Sequence, residues 1–132
     1  MLAKSHVRRT SRATMVLAIV MATTIESRCA TLAAGDAAHG QVLYQGCEDC
    51  HSIEKNDVGP MHRGVVGRVS GTVPGYNYSP ALRNAKIVWT EANLDKWLTN
   101  PQELVPGTRM FYEVESPQDR ADLIAFLKER AR

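Results

Sequence analysis

The chain has 132 residues, 44% of them hydrophobic and 23% charged, with a formal net charge of +2. That length predicts one domain, and the charge is spread unevenly: residues 1–34 hold five Lys/Arg and one Asp/Glu, leaving 11 against 13, a net −2, for residues 35–132. The basic balance belongs to the N-terminal stretch, and without a basic stripe interleaved with aromatics a nucleic-acid partner is excluded.

Lys4, Arg8, Arg9 and Arg12 open the chain, an uncharged run of 13 residues follows from Ala13 to Ile25, and Ala30, Ala33 and Ala34 come next. Basic, then apolar, then small is the order of a secretory signal peptide, expected over residues 1–34 with cleavage near 33–35. The expected location of the mature chain, residues 35–132, is the periplasm. The apolar run falls short of the ~20 residues that span a bilayer, so a retained membrane anchor is the weaker alternative. Arg28 sits where a lipidated Cys29 would need a small residue, and Cys29 is expected to leave with the leader.

Asp36 can cap a helix running through Val42, Leu43 and Tyr44. It delivers the most informative segment of the chain, Cys47-Glu48-Asp49-Cys50-His51. Two thiols three positions apart, followed at once by an imidazole, form the attachment signal for c-type haem. Both thiols must reach vinyl groups on one porphyrin edge while the next residue offers a ring nitrogen to the iron, and one helical turn meets both demands. A thioredoxin-like site would need a βαβ setting, and a structural zinc site a second ligand pair. Neither is visible. The cofactor expected is one covalently attached haem c, joined through Cys47 and Cys50, with His51 as an iron ligand.

Residues 52–79 are rich in Gly and Pro and lack helical periodicity, a length that suits a functional loop wrapped around a large flat ligand. Ser79-Pro80 opens a short helix to about Ala85. Thr90 caps the next, with Leu94, Trp97 and Leu98 on one face, and Asn100-Pro101 ends it. Residues 101–115 read as a second non-helical stretch. Ser116-Pro117, with Asp119 completing a capping-box pattern, starts a last helix striped with Leu123, Ile124, Phe126 and Leu127. The expected fold class is all-α, with about four helices and two long loops.

An iron that only shuttles electrons needs a second axial ligand. Past the leader the methionines are Met61 and Met110. Met61 is ten residues from His51, on the same side, whereas Met110 follows Pro106-Gly107 in a turn-forming segment able to reach the opposite face. Met110 is therefore the expected ligand, and His39 and His62 read as ordinary surface or loop histidines. Met/His ligation raises the reduction potential relative to bis-His sites.

Cys47-x-x-Cys50-His51, Gly59-Pro60, Gly64-Val65-Val66-Gly67-Arg68, Pro74-Gly75-Tyr76-Asn77-Tyr78-Ser79, Ile87-Val88-Trp89, Pro106-Gly107-Thr108-Arg109-Met110 and Arg120-Ala121-Asp122-Leu123-Ile124 together resemble class I c-type cytochromes, in particular the mitochondrial-type and purple-bacterial soluble branch. The resemblance covers nearly all of residues 36–130. It implies the cytochrome c fold around a covalently attached haem. It also implies that the Pro60 carbonyl accepts the Nδ1–H of His51, that Arg68, Tyr78 and Trp89 hold the haem propionates with help from Thr108, and that Gly40 and Tyr44 pack across Leu123 and Phe126. Trp97 departs from the pattern, standing where the family commonly has a Tyr whose hydroxyl reaches the Met sulfur. The Lys ring typical of mitochondrial proteins is missing too: no Lys lies between Lys96 and Lys128.

The function implied is a soluble periplasmic one-electron carrier, monomeric and not an enzyme. Its donor would be a quinol-oxidising complex or dehydrogenase, and its acceptor an oxidase, reductase or reaction centre. The alternatives are a haem peroxidase or small-ligand-binding protein with a labile Met110, and a membrane-tethered redox subunit.

Overall fold

The computed structural model describes residues 34–132, and the expected signal peptide lies almost wholly outside the described residues. Among the described residues five helices form: α1 (Ala37–Tyr44), continued by a 3-10 turn (Gln45–Cys47), α2 (Pro80–Ala85), α3 (Glu91–Thr99), α4 (Pro101–Leu104) and α5 (Pro117–Arg130). The caps explain the boundaries. Asp36 accepts from the backbone N–H groups of Ala38 and His39, Ser79 from Leu82, Thr90 from Asn93 and Ser116 from Asp119. Each satisfies orphan donors of a first turn.

The stretch 101–115 departs from expectation. Asn100 ends α3 and also caps α4, its side chain accepting from Glu103, and Pro101 at the first position supplies a preset φ. A one-turn helix thus fits between a Pro signal read only as a stop and the loop beyond. Among the described residues the β-structure is one bridge, between Val69 and Val88. It joins the long loop 52–79 to the segment before α3, with Trp89 N–H donating to the Arg68 carbonyl (2.8 Å) and Ser70 N–H to that of Ile87 (2.7 Å).

The core forms where α1 crosses α5. Tyr44 stacks at a tilt on Phe126, ring centroids 4.9 Å apart. Leu123, Ile124, Phe126 and Leu127 of α5 are buried with Leu94, Trp97 and Leu98 of α3, each worth about 1.5–3 kcal/mol of apolar transfer. At the crossing, a Cβ on Gly40 would run into the carbonyl of Asp122 and the Cβ of Phe126. Glycine is what lets the two backbones approach this closely.

Two buried charges tie the loops to this frame. Arg120 donates to Asp95 (2.7 Å) and to the carbonyls of Val114 and Glu115 (2.8 and 2.9 Å), holding the segment after Met110 against α3 and α5. Asp122 accepts from Asp36 N–H and Gln118 and pairs with His39 Nδ1 at 2.8 Å. That pairing raises the pKa of the exposed His39, and the Asp36 N–H bond, followed by His39, lowers that of Asp122.

Candidate functional site

The 3-10 turn carries Cys47 to the wall of a cavity of about 420 Å³. His51 N–H donates to the Cys47 carbonyl (2.8 Å) and Cys50 N–H to the same oxygen (3.1 Å), so the whole pentapeptide is one tight turn. Cys47, Cys50 and His51 all line the cavity. Burial pushes the Cys47 thiol up to about 11, with Glu48 and Cys50 adding to the effect.

His51 is held from two directions. Its Nδ1 lies 2.8 Å from the Pro60 carbonyl, which can only accept, so Nδ1 carries the proton and Nε2 keeps a free lone pair. Burial lowers its pKa, partly opposed by this bond. Gly59 packs over the ring: a Cβ there would fall within 2.5 and 2.6 Å of Nδ1 and Nε2, closer still to Cε1. Only a glycine fits between this backbone and the imidazole.

Met110 lines the same cavity. Gln102 on α4 clamps its loop, Nε2 donating to the carbonyls of Thr108 (2.9 Å) and Met110 (3.0 Å) while Oε1 accepts from Gly107 N–H. Arg109 Nη1 reaches the Asn77 carbonyl across the cavity rim (2.9 Å). Trp97 Nε1 donates to Met110 Sδ at 3.2 Å. An indole can only donate, so it fixes the thioether while leaving a sulfur lone pair free.

The remaining expected residues, Pro60, Arg68, Tyr78, Trp89, Trp97 and Thr108, all line this cavity. Arg68 gives two donors to the carbonyls of Arg63 (2.7 Å) and Met61 (2.9 Å). Burial lowers its pKa, while Tyr78 raises it. The Trp89 indole N–H makes no hydrogen bond to a described residue, and its ring packs 5.1 Å from that of Trp97. Met61 stays off the cavity wall.

His62 corrects the expectation of an ordinary loop histidine. Its ring stacks on His51, centroids 4.1 Å apart and 19° from parallel, and its Nδ1 lies 3.0 Å from the Tyr44 hydroxyl. Burial, helped by His51 and Arg68, pushes its pKa down to about 3, so it is neutral at any ordinary pH. His39, by contrast, is exposed as expected. Neither His62 nor the Gln102 clamp carries a motif signal. Each is visible only once Tyr44 and the Met110 loop are in place.

The donor set suits haem. Imidazole and thioether are both haem-iron ligands, and the two thiols sit on the same wall as the imidazole. The surrounding lining is largely apolar and aromatic, from Tyr44, Val65, Leu82, Leu94, Leu98, Leu123 and Leu127. Arg68 and Trp89 add N–H donors and Thr108 a hydroxyl to the same lining.

Comparison with known proteins agrees with this geometry. The family model for cytochrome c matches residues 37–131. Cytochrome c2 of Rhodomicrobium vannielii is 48% identical over 99 residues, covering 72% of this chain and 79% of its own. Cytochrome c of Euglena viridis is 49% identical over 98 residues, covering 71% and 96%. The solved structure of cytochrome cH from Methylobacterium extorquens superposes with a TM-score of 0.71 at 43% identity, over 73% of this chain and all of that one. A Cys47-x-x-Cys50-His51 turn that fits covalent haem attachment, an all-helical frame around it and relatives of this similarity lead to one conclusion: the chain belongs to the cytochrome c family, whose cofactor is covalently attached haem c.

Proposed function

We propose that this cytochrome c is an exported one-electron carrier whose iron is ligated by His51 and Met110 and whose chemistry is confined to electron exchange. One observation carries the reading: Met110 is held on the same cavity as Cys47, Cys50 and His51 by three separate bonds, from Trp97 to its sulfur and from Gln102 to the carbonyls on its loop. A residue clamped in this way closes an iron site rather than opening it to substrates.

Bound haem supplies a ferrous/ferric couple, and the protein sets its environment. Pro60 holds the His51 proton at Nδ1 and so leaves Nε2 as the donor atom. Trp97 orients the thioether. Arg68 stays cationic beside the cavity, and with Tyr78, Trp89 and Thr108 would hold the propionates. The largely apolar walls keep water out, so little reorganisation accompanies a change of charge.

Electrons would enter and leave at the exposed rim. Val58, Phe111 and Tyr112 line the cavity and are 69%, 74% and 51% exposed. An apolar rim of this kind fits a short-lived docking contact with redox proteins, a donor such as a quinol-oxidising complex or dehydrogenase and an acceptor such as an oxidase, reductase or reaction centre. The basic-apolar-small order of residues 1–34 supports export to the periplasm.

The test uses holoprotein made in a host that attaches c-type haem. Reversible one-electron oxidation and reduction, with no carbon monoxide adduct of the native ferrous protein, is the expected result. Tight carbon monoxide binding, or turnover of peroxide at native pH, would favour the enzyme or ligand-binding alternative instead.

A further inference from the structure

A bond at Nδ1 fixes one atom of the His51 ring, and the Gly59 backbone packs over it. The tilt of the ring plane is further restrained by the flat imidazole of His62, stacked 4.1 Å away and 19° from parallel. His62 is itself anchored: its Nδ1 meets the Tyr44 hydroxyl at 3.0 Å, and Tyr44 is wedged against Phe126 of α5, centroids 4.9 Å apart. The backbone on both sides of His62 is pinned as well, since Arg68 donates to the carbonyls of Met61 and Arg63.

Burying a hydroxyl and an imidazole where aliphatic side chains would pack is unfavourable unless the two satisfy one another. Here they do, and the bond they share fixes the ring that faces His51. A branched aliphatic chain at position 62 would fill the volume without presenting a flat face.

We propose that His62 is a positioning residue for the axial imidazole: Tyr44 holds His62, and His62 sets the plane of His51. The α1/α5 crossing is thereby linked mechanically to the orientation of an iron ligand. This rests on His51 being that ligand. The plane of an axial imidazole determines which iron d orbital it overlaps, and so how unpaired spin spreads over the macrocycle in the ferric state. Second-sphere orientation of a ligand is one of the means by which a protein tunes a metal.

The experiment compares ferric holoproteins: wild type, Tyr44→Phe, His62→Leu and the double variant, read by the paramagnetically shifted haem-methyl resonances. Tyr44→Phe removes one oxygen and keeps the ring, so folding is not at risk. The expected result is a changed order or spread of the methyl resonances in both single variants, larger in His62→Leu, with the double variant matching His62→Leu because the hydroxyl removed from Tyr44 bonds to His62 alone. A Tyr44→Phe pattern superimposable on wild type, or a double variant showing the sum of the two single effects, would overturn the proposal. Covalent haem and the Met–iron charge-transfer band serve as the separate check. Their absence from wild type would instead overturn the ligation reading on which this proposal rests.

Discussion

The bond from Trp97 Nε1 to Met110 Sδ, 3.2 Å long, makes a quantitative prediction about how firmly the iron site is closed. Trp97→Phe keeps an aromatic ring in the wall and removes the donor. A neutral hydrogen bond contributes about 0.5–1.5 kcal/mol net, and a thioether is a weak acceptor, so the lower half of that range applies. A loss of about 0.5–1 kcal/mol raises the population with Met110 detached by roughly two- to fivefold. With Met110 as the proposed ligand, external imidazole has to displace it, so its apparent affinity for the ferric protein should rise by the same factor. Spectroscopic titration with imidazole reads this directly, and denaturant unfolding shows whether the fold has kept its stability. Unchanged imidazole affinity in a well-folded Trp97→Phe protein would refute the claim that the indole holds the sulfur.

Other consequences follow from the same structure. Gly40→Ala places a Cβ against the Asp122 carbonyl and Phe126. Overpacking against backbone costs about 3 kcal/mol, the upper end of its usual range. That exceeds the ~1 kcal/mol gain in helix propensity, so denaturant unfolding should show a net loss of about 2 kcal/mol. Asp122→Asn lowers the melting temperature with a defined pH profile. The raised pKa of His39 contributes stability below its ordinary value that is lost as pH rises through the raised one. The lowered pKa of Asp122 contributes above its ordinary value and is lost as pH falls through the depressed one. The gap between wild type and variant is therefore widest from roughly pH 4 to pH 6.5 and narrows on both sides. The region around Met110 carries Glu103, Glu113 and Glu115 with Arg109 and no Lys. Electron transfer with partners should therefore slow only weakly as salt is added, and a steep fall in stopped-flow rates would contradict this.

Much of the fold was legible because its signals are local. Asp36, Ser79, Thr90 and Ser116 each announce a helix start through a side chain that bonds two or three residues on. Cys47, Cys50 and His51 are adjacent in sequence because the chemistry demands it. Helix α4 was missed since Asn100-Pro101 is both a stop and a start, and only the cap geometry tells which. His62 was missed for a different reason. Its partners, Tyr44 and His51, lie 18 and 11 positions away on separate segments, so nothing in its immediate neighbours marks it as packed between them. Gln102 is similar, an unremarkable polar residue until the chain turns back over it. Contacts assembled by loop closure leave no periodicity to read.

The account stands most directly on the sulfur-to-iron charge-transfer absorption of the ferric holoprotein. It should be present in wild type and vanish in Met110→Ala, while haem remains covalently bound through Cys47 and Cys50. Its absence from wild type, or its survival in Met110→Ala, would contradict ligation by Met110.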